Sequence, residues 1–264
     1  MKNRGIVLVC FLLAFVLMPA LAQERPTVAD GGEITDALRI PFVDIAVREP
    51  ENNSEVALSI QLILLLGVLA LAPSIVLLMT SFLRIAIVFD FIKRALSLQQ
   101  VPPTQVLMGI ALFLTIFIMW PTLSVVYEEA FIPFAGGEIG IEEMYDRGVG
   151  PLRLFMYKQL DGNHDSIALF MRMRGLPRAQ NFSEVPTYVL IPAYVLHELT
   201  VAFKIGILLF VPFIIIDMVV ASTLMSMGMI MLPPIMISLP FKLILFVLVD
   251  GWGLITEQLI KSFQ

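Results

Sequence analysis

Four long apolar stretches run through this chain, and prolines and ionisable side chains stand inside them. Val56 to Phe89 contains Pro73, with Arg84 near its end, and Val106 to Tyr127 contains Pro121. Tyr188 to Val220 contains Pro192 and Pro212 together with Glu198, Lys204 and Asp217. Leu232 to Ile255 contains Pro240, Lys242 and Asp250. A lysine or aspartate at the centre of a bilayer costs about 2.5–3.5 kcal/mol on insertion scales, so such groups face protein or water. A broken helix at membrane depth is tolerated only where protein or a cavity satisfies the freed backbone. The stretches therefore predict an all-α, polytopic membrane-type chain of proline-broken helical hairpins that belong to an assembly. Four free-standing lipid-facing spans would not carry these residues.

The composition agrees. Of 264 residues 58% are hydrophobic and 15% charged, where a soluble domain carries about a quarter charged residues. A net charge of −5 without a basic run argues against nucleic acid as a partner. The first 22 residues read as a cleavable signal. Lys2 and Arg4 precede an apolar run from Gly5 to Leu17, and Ala20-Leu21-Ala22 forms the small-x-small cleavage site. The alternative is an uncleaved first helix, but the run is shorter than the roughly 20 residues that a span needs. Cleavage would remove Cys10, the chain's single cysteine. The mature chain would then hold no disulfide, catalytic thiol or thiolate metal site.

Five segments follow from this pattern: the signal (1–22), a polar lead-in (23–55), a first helical hairpin (56–127) with a basic loop at 93–104, a polar helical region (128–186), and a second hairpin (187–264) carrying a methionine-rich loop at 225–234. The lead-in holds eight acids against three bases, and the region from Glu128 to Pro186 holds nine against six. Within the latter, EEMYDRGVGPLRLFMYKQL and DSIALFMRMRG look amphipathic. Basic loops stay on the cytoplasmic side, which puts Lys93 and Arg94 inside and both acidic regions outside.

Catalytic signatures fail on inspection. HELTV, from His197 to Val201, begins like the zinc signature HExxH but ends in valine, so the paired ligand one turn on is missing. The other histidine, His164, lies in the polar region. GVGPLR at Gly148 has no strand-helix frame, and neither a P-loop nor a GxSxG elbow is present. The glutamate pairs at 128–129 and 142–143 are read as a solvated face. The chain is expected to be no enzyme, to need no cofactor and to hold no metal.

LMSMGMIMLPPIMISLPFK, from Leu224 to Lys242, has five methionines, one glycine and three prolines. Methionine is unbranched and flexible, and it recurs where a surface re-packs around changing partners. Plain core or lipid-facing packing is the simpler use of such a stretch.

Three passages carry a family resemblance. MTSFLRIAIVFDFIKRALSLQQVPPTQVLMGIALFLT (Met79 to Thr115) and HELTVAFKIGILLFVPFIIIDMVVASTLMSMGMIMLPPIMISLPFKLILFVLVDGW (His197 to Trp252) resemble the two signatures of the FliP family, the flagellar type III export-gate proteins. PLRLFM (Pro151 to Met156), followed by ALF (Ala168 to Phe170), resembles the segment between them. The resemblance implies a ring of five copies with FliQ and one FliR, built as a helical stack in and above the bacterial inner membrane, at the flagellar basal body. FlhA and FlhB would lie nearby, FliO would assist assembly, and unfolded flagellar subunits would pass through the enclosed channel.

Residue roles follow from the resemblance alone. Met227, Gly228, Met229, Ile230 and Met231 correspond to the family's gasket loop, which projects into the channel and closes around a passing chain. Glu198, Asp217 and Lys242 match its charged positions and are expected to pair across subunit contacts, with exposure to a water-filled vestibule as the alternative. Phe155 and Phe170 are expected to anchor subunit contacts or pack the core. Two rival functions remain at this point. A secondary transporter would use broken helices and midplane charges, although the halves show no convincing repeat. A purely structural ring scaffold would tolerate polar or small residues in the methionine loop.

Overall fold

The computed structural model describes residues 53–98, 101–160, 165–229 and 233–263. The signal-cleavage residues Ala20 and Ala22, and Ile230 and Met231 of the methionine loop, lie outside them. The regular elements among the described residues are all helices, without strands. Compactness divides the chain into residues 1–75 and 76–264. From the first unit comes most of α1 (Asn53–Leu78), on which Ile63, Leu64, Leu65 and Leu66 are exposed.

In the second unit α2 (Phe82–Ala95) is the helix around which the rest is organised. It buries Ile85, Val88, Phe89, Ile92 and Ala95, a spacing of three and four residues that lines one face of a helix. Lys93 and Arg94 occupy its last turn, where cations suit the negative end of the helix dipole. The exposed Asp90 and Arg94 form the i,i+4 pair at 2.6 Å that their spacing anticipates. α3 (Thr104–Val126) follows, and a π-helical turn (Tyr127–Phe131) joins it to α4 (Ile132–Ala135). The two amphipathic pieces of the polar region become α5 (Ile141–Gln159) and α6 (Asp165–Met173). α7 (Thr187–Ser226) is 40 residues long. It is followed by α8 (Pro234–Leu248) and α9 (Gly251–Lys261), which bend by 63° at their junction.

The prolines fall differently from the expectation that they cut the apolar stretches. Pro73, Pro121, Pro151, Pro192, Pro212 and Pro240 all sit inside helices. A single interior proline removes one hydrogen bond and crowds the carbonyl four residues back, at a cost of about 3 kcal/mol. The helix nonetheless runs through each of them, because the turns on either side keep their own backbone hydrogen bonds. Breaks occur instead at the tandems Pro102-Pro103 and Pro233-Pro234, whose second proline precedes or begins a helix. The first apolar stretch breaks without a proline, at residues 79–81 between α1 and α2. The bend between α8 and α9 falls on Asp250, a left-handed residue with φ of 50°.

Two clusters form the core of this unit. One joins Ile85, Val88, Phe89 and Ile92 of α2 to Leu107 and Ala111 of α3, Ala202 and Phe213 of α7, Phe246 of α8, and Leu259 of α9. The other packs Met156 and Leu160 against Ile167 and Met171, and against Val189, Leu190 and Tyr194 at the start of α7. Gly206 lets α2 approach α7 closely, since a Cβ there would stand 2.5 Å from the Phe91 ring. Among the described residues two helical runs are long and apolar enough to cross a membrane, Thr104–Ala135 and Thr187–Ser226, and the bent pair of α8 and α9 would make a third.

Candidate functional site

Buried charge organises the hairpin of α7 and α8 at two levels. At the first, Arg84 of α2 meets Glu198 of α7 through both carboxylate oxygens, with Nε at 2.7 Å and a second guanidinium nitrogen at 2.5 Å. Both side chains are almost wholly inaccessible, at 2% and 0% exposure. The remaining guanidinium N–H groups donate to the Ser262 carbonyl at 2.7 Å, the Ser262 hydroxyl at 3.0 Å and the Gln159 side-chain oxygen at 3.4 Å. The Phe263 ring lies 3.9 Å beneath the guanidinium. Arginine has five donors in a rigid fork, and each has an acceptor here. Gln159 completes the group by donating to the Phe263 carbonyl at 3.0 Å. The hub therefore ties α2, α5, α7 and the C-terminal end together.

At the second level Lys242 of α8 donates to Asp217 of α7 at 2.7 Å, to the Ser97 hydroxyl at 3.0 Å and to the Ala95 carbonyl at 3.3 Å. These three acceptors match the three donors of an ammonium group, and the Ala95 carbonyl brings the cation to the C-terminal end of α2, where the dipole favours it. The other carboxylate oxygen of Asp217 accepts from the Ser238 hydroxyl at 2.6 Å. Lys242 is 1% exposed and Asp217 32%, so water reaches only the acid.

Glu198, Asp217 and Lys242 are thus each paired inside one chain, and the pairing expected across a subunit contact is not needed to satisfy them. Arg84 is the partner that the sequence reading left unassigned. It stands in an apolar stretch with no acid within helical reach, as Glu198 does with no base, and two such unmatched opposite charges are the signal that could have joined them. Phe155 and Phe170 both pack within the chain. Phe155 stacks on Phe263 with ring centroids 6.5 Å apart and meets Tyr194 edge-on at 6.2 Å. Phe170 packs against the second core cluster. The Tyr194 hydroxyl in turn donates to the Thr80 carbonyl at 2.8 Å.

The described part of the methionine loop starts with a well-formed helix stop. Gly228 has φ of 75°; its N–H donates to the Met225 carbonyl at 3.0 Å, and the Met229 N–H to the Leu224 carbonyl, also at 3.0 Å. This pair of bonds is the Schellman motif, with glycine at its left-handed position. Pro234 then opens α8 at its first position, where the missing N–H costs nothing. The glycine ends one helix and the proline begins the next. Around this stop Met225 in the last turn of α7, Met227 and Met229 are exposed, Met227 to 71%.

His197 lies on α7, with Val201 one turn on. Among the described residues no three of His, Cys, Asp and Glu converge as they would around a metal ion.

Comparison with known proteins places this arrangement. The profile of the FliP family matches residues 65–259. "Flagellar biosynthetic protein FliP" of Borreliella burgdorferi is 60% identical over 255 residues, covering 96% of this chain and 97% of that protein. The protein of the same name from Treponema denticola is 55% identical over 270 residues and covers both chains in full. That of Bacillus subtilis is 48% identical over 223 residues, 84% of this chain and 99% of its own. With only helices among its described elements, several of them apolar enough for a membrane, and matched along nearly its whole length, the chain belongs to the FliP family of flagellar biosynthetic proteins.

Proposed function

We propose that this chain is a core subunit of the flagellar protein export gate. Copies of it form, with FliQ and FliR, a ring in the inner membrane and on its periplasmic side. The ring encloses the channel through which unfolded flagellar subunits leave the cytoplasm, and the methionine turn between α7 and α8 is its gasket. One observation carries this reading: the exposed apolar turn begins from a rigid helix stop at Gly228, on a hairpin whose Asp217 and Lys242 are already neutralised. Such a turn has soft, uncharged side chains to present and nothing ionic to hold water. Rings of apolar side chains close a pore by dewetting, and thioethers re-pack around whatever side chain passes.

The test is to shorten Met227, Met229 and Met231 together to alanine and measure membrane conductance beside recovery of the detergent-extracted complex. The triple variant is expected to assemble and to leak ions or small solutes. Leucine replacements, which keep most of the volume, should seal better. A triple-alanine complex as tight as the unaltered one would leave the turn with a packing role alone and favour the scaffold.

A further inference from the structure

α9 is held at its two ends by different means. It is 11 residues long, about 16 Å at the rise of a helix, and it buries only Gly251, Ile255 and Leu259, one narrow stripe at four-residue spacing. Trp252, Leu254, Glu257, Gln258 and Lys261 are exposed. Its near end is a bend. Asp250 has φ of 50°, and the helices on either side differ in direction by 63°. Gly251 fits against the Phe246 ring, where a Cβ would stand 2.4 Å from it, and Trp252 meets the same ring edge-on at 5.3 Å.

The far end is polar. Directly after α9, the carbonyl and the hydroxyl of Ser262 accept from one guanidinium nitrogen of Arg84. The Ser262 hydroxyl is aimed by its own donation to the Leu259 carbonyl at 2.7 Å. The Phe263 ring contacts both that guanidinium and the Phe155 ring, and the Phe263 carbonyl holds Gln159. Ser262 is itself exposed, while Arg84 behind it is buried. A layer one residue thick therefore covers this cation.

Arg84 depends on that layer. Of its donors, Glu198 takes two and Gln159 one, and the rest go to Ser262. Without residues 262 and 263 the salt bridge would remain, but the guanidinium would lose two acceptors and its ring, and Gln159 would lose its acceptor. A buried donor left unmet costs its full desolvation, so either water enters or these residues close over it. Both residues lie beyond the span 65–259 that the family profile matches, so membership in the family assigns them no part.

We infer that α9 is a hinged strap, which swings on Asp250 and Gly251 and latches through Ser262 and Phe263 onto the Arg84–Glu198 pair. Connectivity sets the order of closure. Arg84, Gln159 and Glu198 can meet as soon as α2, α5 and α7 pack. Ser262 and Phe263 reach them only after α8 has turned back along α7, where Lys242 meets Asp217 and Phe246 meets Phe213. The strap thus completes the hub last, on a finished hairpin. With so little apolar surface buried, it opens at a lower cost than the helices beneath it, and its opening is the route by which water reaches Arg84. None of this depends on the export channel.

Hydrogen exchange on the detergent-extracted whole protein tests the swing. The amides of residues 254–262 are expected to exchange at least about tenfold faster than those of α2 and of the first half of α7. Phe263→Ala removes the ring and keeps both carbonyls; it is expected to speed the α9 amides about fivefold further and to leave α2 and α7 unchanged. A second measurement follows Arg84 itself, by phenylglyoxal labelling and peptide mass spectrometry, with the exposed Arg94 as reference. In the unaltered protein Arg84 is expected to react at least about tenfold more slowly than Arg94, and Phe263→Ala to narrow that gap by the same factor as it speeds α9 exchange. The strap is overturned by α9 amides no faster than those of α2 and α7, or by a variant that speeds all three helices alike. An Arg84 as reactive as Arg94 from the start, or one whose reactivity stays constant while α9 exchange rises, overturns it as well.

Discussion

Arg84 and Lys242 bear the same charge and are almost equally hidden, yet their partners differ in one respect. Glu198 is sealed, whereas a third of Asp217 remains open to water. Removing one member of a buried pair costs about 3–5 kcal/mol, because the survivor is left charged in a dry site. Glu198→Ala strands Arg84, and Asp217→Ala strands Lys242, so both are expected to fall in that range. Lys242→Ala strands only the part-hydrated Asp217, which keeps the Ser238 hydroxyl, and its loss should be visibly smaller. Thermal aggregation midpoints of the three detergent-solubilised variants check the order; equal losses would mean that water reaches both hubs alike. Gly206→Ala tests the close approach of α2 and α7. Its new methyl group has no room beside the Phe91 ring, and overpacking of this kind costs about 1–3 kcal/mol. The charges were legible in the sequence as misfits in apolar stretches. Their partners were not, because the mate of Glu198 lies 114 residues away in the chain, and spacing along a sequence says nothing of contacts at that range.

Helices tell a similar story of what local rules reach. The amphipathic pieces that became α5 and α6 were legible because a buried face at helical spacing is a local property. The interior prolines misled because each removes one hydrogen bond locally while the turns on either side keep theirs. The break at Asp250 carried neither a glycine at its own position nor a proline, and only Gly251 beside it hinted at a stop. The turn after α7 was legible from Gly228, which forms a specific helix stop. Gly228→Ala should therefore cost about 1 kcal/mol through its left-handed backbone and shift the methionine side chains that follow. The expected readout is leakier conductance at unchanged ring recovery; conductance equal to the unaltered protein would show that the Schellman geometry does not position the turn.

On the scale of residues 76–264, the helices share a design in which opposite charges sit side by side. Arg84 meets Glu198 at 2.5 Å and Lys242 meets Asp217 at 2.7 Å. The α7 and α8 hairpin was foreseeable from hydropathy, while its neutralisation emerges only in three dimensions: Lys242 of α8 meets Asp217 of α7 within the hairpin, and Glu198 is met by Arg84 of α2. In an energised membrane it has an electrical consequence. One elementary charge moved through 100 mV gains or loses about 2.3 kcal/mol, so a hairpin with stray charges would be pulled or held back by the potential as it changed depth. Two ions of opposite sign at one depth feel equal and opposite forces. Each of these two pairs therefore leaves its helices to be positioned by packing, whether the membrane is charged or discharged. Lys204, without an ion pair among the described residues, would still feel the potential.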